Sequence, residues 1–118
     1  MTIQEYNYDI FQGDTWQVTI PLTDIDGNPV SNAANWNFVS QVRDKEKGDI
    51  LCASASLGSG ITTSVVNSQV NVTVVYTPTQ TANFNLPKSV YQIQSIDPAG
   101  RKKTLRTGWL QIHPSIIQ

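Results

Sequence analysis

The sequence is poor in the residues that most often carry out chemistry: its 118 residues include one cysteine, Cys52, and one histidine, His113. One cysteine cannot form an intrachain disulfide, and it leaves a thiolate metal site without a second thiolate. A Ser-His mechanism needs a base beside its nucleophile, and Ser115, two residues from His113 on extended chain, does not form such a pair. We therefore predict that the chain is not an enzyme and has no catalytic residues, metal or cofactor.

Charge is scarce as well. Charged residues make up 14% of the sequence, against about a quarter in typical domains, and the net charge is −1. Such a surface offers no basic field for phosphates, so we expect no nucleic-acid partner. The sequence has no apolar run of about 18 residues, and residues 1–5 lack the basic and apolar stretches of a signal peptide. We expect a chain that is made in the cytoplasm without a cleaved leader and that has no membrane partner.

Uncharged polar and β-branched residues are abundant instead. Val and Ile together number 22, against 13 for Leu, Ala and Met, and β-branched side chains suit a pleated, half-buried surface. Short alternating runs separated by turn residues are typical of a sandwich or barrel. They predict strands at 15–22, 35–43, 50–56, 61–66, 69–76, 90–96 and 103–113. Residues 77–84 begin with Thr and Pro, which predicts one short helical turn.

These elements predict one all-β domain over residues 1–118, an antiparallel β-sandwich of seven or eight strands. Residues 1–9 are expected to form an N-terminal arm or an edge strand, residues 45–49 a hairpin tip, and residues 114–118 a C-terminal tail. The apolar phase of the strands supplies the predicted core, which consists of Trp16, Val18, Ile20, Trp36, Phe38, Val70, Val72, Val74, Tyr91, Leu110 and Ile112.

Two features suggest a contact surface. Side chains alternate between the two faces of the last strand, so if Leu110 and Ile112 point inward, Trp109 points outward. There it anchors an interface, or a loop or the N-terminal arm covers it. Residues 1–50 hold eight acids and three bases, while residues 51–118 hold one acid and five bases. If the bases form one edge of the domain and the acids lie elsewhere, neighbouring copies or a partner can dock with complementary charge. If the strands of the two halves interleave in space, the charges are mixed instead. The interface hypothesis therefore names Tyr6, Tyr8, Arg101, Lys102, Lys103, Arg106 and Trp109.

The order of the elements also carries a resemblance. The stretch 11–16 leads into an alternating strand, the turn 22–30 follows, and later come the helical turn 79–84, the strand 91–97, the stretch 108–112 and the terminal 114–116. Over about residues 8–117 this pattern resembles a small β-sandwich of tailed-bacteriophage virions. It is similar to the N-terminal domain of baseplate upper proteins and to small head or tail accessory proteins. The resemblance implies an immunoglobulin-like sandwich that assembles by surface contact.

The function expected from this resemblance is that of a non-enzymatic virion structural protein, a capsid decoration or cement subunit that stabilises the phage head. Its partners would be the major capsid protein or other virion proteins, with self-association on the particle. The alternatives are a baseplate or tail adaptor, or a carbohydrate-binding module in which Trp109 and another aromatic residue lie on a flat face.

Overall fold

The computed structural model describes residues 6–44, 50–84 and 86–116, and in these ranges the chain forms eight strands and one short helix. In chain order the elements are β1 (Tyr8–Phe11), β2 (Trp16–Pro21), β3 (Asn37–Arg43), β4 (Leu51–Leu57), β5 (Gly60–Val66), β6 (Gln69–Tyr76), α1 (Pro78–Thr81), β7 (Lys88–Ile96) and β8 (Lys102–His113). The predicted all-β class with seven or eight strands and one helical turn is confirmed. The predicted hairpin tip at 45–49, residues 1–5 of the arm and the last two residues of the tail lie outside the described residues.

The strands form where apolar and polar residues alternate. Every second residue of β2 and of β6 is buried, as a strand with one face on the core requires. The turn between β5 and β6 consists of Asn67 and Ser68, both with positive φ, which matches the twist of a two-residue hairpin. At α1 the Thr77 side chain accepts from the Gln80 backbone N–H and the Gln80 side chain accepts from the Thr77 backbone N–H, so a capping box fixes the start of the helix.

Backbone hydrogen bonds connect all eight strands in the order β1-β8-β7-β3-β4-β5-β6-β2. The β4–β5 connection is only two residue pairs long, and the sheet folds over there into a front layer, β1-β8-β7-β3-β4, and a back layer, β5-β6-β2. The Trp16 ring of β2 lies 5.1 Å from the Tyr91 ring of β7. The Ser40 hydroxyl of β3 lies 2.7 Å from the Tyr76 hydroxyl of β6. Since these strands are far apart in the sheet order, the contacts show that the two layers face each other.

This topology is immunoglobulin-like. In an immunoglobulin domain the second, fifth and neighbouring fourth strands form one layer, and the third, sixth and seventh form the other, which an additional strand can extend. Here β2, β6 and β5 correspond to the first set, and β3, β7 and β8 to the second, extended by β4. Pairing is antiparallel except between β1 and β8 and between β4 and β5, which run parallel. With one cysteine in the sequence, aromatic packing between the layers replaces the inter-sheet disulfide of antibody domains.

The core is centred on Trp16, which is 8% exposed. Its ring stacks on Tyr76 at 5.6 Å and meets the edges of Tyr91 and Phe84 at 5.1 and 6.5 Å. Ten of the eleven predicted core residues are buried, and the exception is Trp36, which is only half-buried. The Trp36 backbone N–H donates to the Ala33 carbonyl in a turn before β3, so strand alternation does not govern its side chain.

Candidate functional site

The N-terminal segment lies along β8. The Tyr6 backbone N–H donates to the Thr107 carbonyl at 2.9 Å, and the Tyr91 hydroxyl donates to the Tyr6 carbonyl at 2.7 Å. From Tyr8 onward the segment is the parallel strand β1. Of the two alternatives for this region, an arm or an edge strand, residues 8–11 take the edge strand. The backbone at Tyr6 is therefore held against the front layer.

Three residues of the predicted interface, Tyr6, Tyr8 and Arg106, contact one another. Arg106 donates from Nη1 to the Tyr8 hydroxyl at 3.0 Å, and its guanidinium carbon lies 4.0 Å from the centre of the Tyr6 ring. The Tyr8 ring also packs edge-on against Trp16 at 5.6 Å. Burial raises the pKa of Tyr91, which lies beside this cluster, well above its ordinary value. Tyr8 and Arg106 thus close the side of the core, and their polar atoms face each other.

The predicted basic stretch does not form one patch. Arg101 Nε lies 2.8 Å from Asp97 Oδ2, while Lys103 Nζ donates to the Thr23 hydroxyl at 2.8 Å and to the Asp24 carbonyl at 2.7 Å. Lys102 is exposed. A register shift between β7 and β8 separates residues 102–104 from the part of β8 that contains Arg106. The structure therefore directs Arg101 and Lys103 to oxygen acceptors on separate elements.

Trp109 lies on the outer surface of the front layer, in the outward phase that the sequence predicts. Its ring is half-buried, and Lys88 Nζ lies 4.1 Å from the ring centre. Its backbone N–H donates to the Asn7 side-chain oxygen at 2.9 Å. The N-terminal segment and Lys88 thus border this tryptophan. The N-terminal segment covers part of Trp109, which is one of the two alternatives left open by the sequence. The other alternative, that Trp109 anchors an interface, stays a prediction.

A shallow groove of about 460 Å³ lies at the end of the sandwich where the β2–β3 loop meets the β7–β8 turn. Two carboxylates line it, and both are engaged in turns. Asp24 Oδ1 accepts from the Asp26 and Asn28 backbone N–H groups, each at 2.9 Å. Asp97 accepts from two backbone N–H groups and from the Arg101 guanidinium. In the described part of the chain, no group of three or more His, Cys, Asp and Glu residues could hold a metal ion.

Burial acts to raise the pKa of Asp97, but hydrogen bonds from the Arg101 backbone and side chain outweigh it and hold the pKa below its ordinary value. A general acid at neutral pH needs a raised pKa, so this carboxylate has the opposite perturbation. The groove therefore presents two carboxylates that are held in turns, beside the half-buried Trp36 ring.

The feature that sequence reasoning missed is a surface without charge. From residue 50 to residue 87 the sequence contains no Asp, Glu, Lys, Arg or His, and this run forms β4, β5, β6 and α1. Strand pairing then brings its outward residues beside those of β2 on the outer face of the back layer. We call this surface the neutral face, and its residues are Gln17, Thr19, Pro21, Thr62, Ser64, Val66, Gln69, Asn71, Thr73 and Val75.

The neutral face is rich in hydroxyl and amide groups. Across it, the Thr19 and Thr73 hydroxyls lie 3.2 Å apart in a cross-strand hydrogen bond. The signal for this surface was present in the sequence, but summing charge over two halves of the chain concealed it. A search for long stretches without Asp, Glu, Lys, Arg or His would have found it.

Comparison with known proteins adds little to this description. No model of a known protein family matches the chain, and no curated protein sequence matches it. In the described ranges, no helix has the length and apolarity that crossing a bilayer requires. Among solved structures, the chain is similar to one described as the structure of the BTLA ectodomain, with 14% sequence identity, 97% of this chain and 95% of that chain covered, and a TM-score of 0.40. At this identity and TM-score the similarity supports no argument about function.

Proposed function

We propose that this chain is a non-enzymatic structural subunit of a tailed-bacteriophage virion, and that it decorates the capsid and stabilises the phage head. The observation that carries the proposal is the neutral face. Removing charged groups from water is costly unless each one is paired, whereas hydroxyls and amides need only hydrogen-bond partners. A surface with many such groups and no charge is therefore suited to being covered by another protein.

Placement on a virion comes from the resemblance of the sequence to small virion β-sandwiches, and the neutral face gives that placement a physical means of attachment. Each contact of a decoration subunit is modest, but many subunits bridging neighbouring capsid proteins add their binding energies to that of the shell. The major capsid protein, or another virion protein, is the proposed partner.

Charge introduced into the neutral face tests the proposal. Thr73→Lys puts an ammonium group at the centre of the face, and Gln92→Lys makes the same change in charge on exposed β7 of the front layer. We expect Thr73→Lys to lower the number of copies bound per particle at a fixed subunit concentration. A loss of about 1.4 kcal/mol in binding corresponds to about a tenfold weaker affinity. Gln92→Lys should keep wild-type occupancy, and equal occupancy for both variants would remove the neutral face from the attachment surface.

Trp109→Ala tests the anchor that the sequence predicts. If Trp109 contacts the shell, the variant should show lower occupancy and its particles should release their contents at a lower temperature. Unchanged occupancy and heat resistance would remove Trp109 from the interface.

The copy number of the chain on purified particles separates capsid decoration from a baseplate or tail adaptor. Hundreds of copies per particle support the shell, and a few support the tail. The carbohydrate-binding alternative is less well supported, because Lys88 Nζ lies over the Trp109 ring that would have to stack on a sugar.

A further inference from the structure

We propose that β5 pairs with the β5 strand of a second copy of this chain, antiparallel and about a two-fold axis at Ser64, so that two back layers join into one continuous sheet. This inference goes beyond the proposed function, and it gives the self-association expected from the sequence a surface and a register. It does not require a particle, so it can hold or fail separately from capsid decoration.

The first argument is that β5 has an open edge. Its partner on one side is β6, along six residue pairs from Ile61 to Val66, while on the other side it pairs with β4 only at Gly60 and Ile61. Beyond that point, residues 62–66 are all exposed. Val65 lies on the same face as the buried Ile61 but is itself 61% exposed. The front layer does not cover this part of the back layer.

The second argument is that this edge lacks the usual protection. Edge strands are commonly blocked by charged residues, proline or bulges, which prevent pairing with other chains. The other edge of the back layer, β2, ends in Pro21, and β4 contains a register shift against β3. Strand β5 has no charged residue and no proline, and its register with β6 is regular. Its edge is therefore competent to form a new ladder.

The third argument identifies a second copy as the partner. A two-fold axis brings each surface against its own image, so any charge near the axis meets a like charge. The run without Asp, Glu, Lys, Arg or His, from residue 50 to residue 87, includes β5 and both of its neighbours in the sheet order. Self-pairing here therefore costs no repulsion between like charges. A partner chosen by complementary charge would find no charge on this strand to recognise.

The fourth argument fixes the register. The two-residue turn between β5 and β6 makes Val66 and Gln69 a hydrogen-bonded pair, so the backbone groups of Thr63 and Val65 point away from β6. The Ile61 carbonyl confirms this alternation, since it also points away from β6 and accepts from the Gly58 N–H at 3.0 Å. Thr63 and Val65 thus present two N–H and two C=O groups at the open edge.

An axis at Ser64 places Thr63 of one copy opposite Val65 of the other, and the reverse. Both pairs are then of the hydrogen-bonded type, so all four edge groups of each copy find partners. An axis at Thr63 would instead place Val65 opposite Ile61, whose carbonyl already accepts from Gly58. The axis at Ser64 also brings the Val65 methyl groups against the Thr63 side chain of the other copy.

Cysteine cross-linking tests this register. In a Cys52→Ser background, Ser64→Cys puts two thiols in a non-hydrogen-bonded pair with Cα atoms about 4.5 Å apart, within disulfide range. Thr62→Cys is the matched control, because it is exposed on the same face of the same strand. In the proposed register the thiols that Thr62→Cys introduces into the two copies would lie four residues apart along the strands, about 14 Å, which is too far for a disulfide. Under mild oxidation we expect at least about tenfold more disulfide-linked dimer from Ser64→Cys than from Thr62→Cys.

Equal cross-linking of the two cysteine variants, or none from Ser64→Cys, would overturn the proposal. A second measurement needs no cysteine: sedimentation velocity of the wild type, of Val65→Lys and of Gln17→Lys, which adds the same charge to β2. We expect wild type and Gln17→Lys to sediment as dimers, and Val65→Lys as a monomer with unchanged circular dichroism. A wild-type chain that stays monomeric up to about 1 mM, or a Val65→Lys variant that dimerises like the wild type, would refute it.

Discussion

The buried hydrogen bond between Ser40 and Tyr76 provides a quantitative test of how the two layers are held together. Ser40 lies on β3 in the front layer and Tyr76 on β6 in the back layer, and their hydroxyl oxygens are 2.7 Å apart. The two side chains are 1% and 0% exposed, so water does not replace a lost partner. We consider Tyr76→Phe, Ser40→Ala and the double variant.

Each single substitution leaves one hydroxyl buried without its partner, which costs about 1–3 kcal/mol. The double variant removes both hydroxyls together, and the loss of a satisfied pair costs only about 1 kcal/mol. The two single effects should therefore not add, and the coupling free energy should exceed about 1 kcal/mol. For a chain of this length, each kcal/mol corresponds to a change of roughly 4 °C in the melting temperature.

Urea unfolding followed by tryptophan fluorescence measures all four proteins of this cycle, because the Trp16 ring stacks on Tyr76 and senses the same region. The denaturant dependence should be equal in all four, so that the midpoints report stability. If Tyr76→Phe costs less than about 0.5 kcal/mol, or if the two single effects add, the hydroxyl pair does not link the layers as the structure indicates.

Three further perturbations follow from the structure. Burial raises the pKa of Tyr76 to about 12 from its ordinary 10.0, so the stability that its neutral form contributes is complete below pH 10 and is lost as the pH rises toward 12. Circular dichroism should therefore show that Tyr76→Phe loses less folded structure at alkaline pH than the wild type does. The pKa of Asp97 is lowered, so the stability that its ionised form contributes is present above about pH 3.8 and disappears as the pH falls below it. Asp97→Asn should therefore make the free energy of unfolding depend less on pH in the acid range, and an unchanged dependence would contradict the assigned hydrogen bonds from Arg101. At Gly108 a Cβ would collide with the Tyr6 carbonyl, so Gly108→Ala should lower the free energy of unfolding by about 1–3 kcal/mol and expose the N-terminal segment to proteolysis. Cleavage near Tyr6 at the wild-type rate would show that this close approach is dispensable.

Part of the candidate site could be derived from the sequence, and part could not. The outward phase of Trp109 follows from alternation along one strand, which is a local property of extended chain. The roles of Tyr8 and Arg106 do not, because their contact joins residues 98 positions apart in the sequence. The structure brings these two side chains together, and their use in an interface stays a prediction. The neutral face is an intermediate case. The sequence shows directly that residues 50–87 lack charge, but strand pairing decides that their outward side chains lie together on one surface.

The sequence by itself determined most of the elements: the strands from alternating apolar and polar residues, and the helical turn from the Thr77 cap and the following proline. These features depend on neighbouring residues, whose steric and hydrogen-bonding preferences act within a few positions of the chain. The tertiary structure alone decided that β1 pairs with β8, that Trp36 stays half-buried, and that the edge of β5 is left open. Such outcomes depend on which distant strands meet as the core excludes water, and the hydrophobic effect that drives this burial has no direction of its own. Local preferences therefore specify the pieces, and only their packing specifies which surfaces remain available to another molecule.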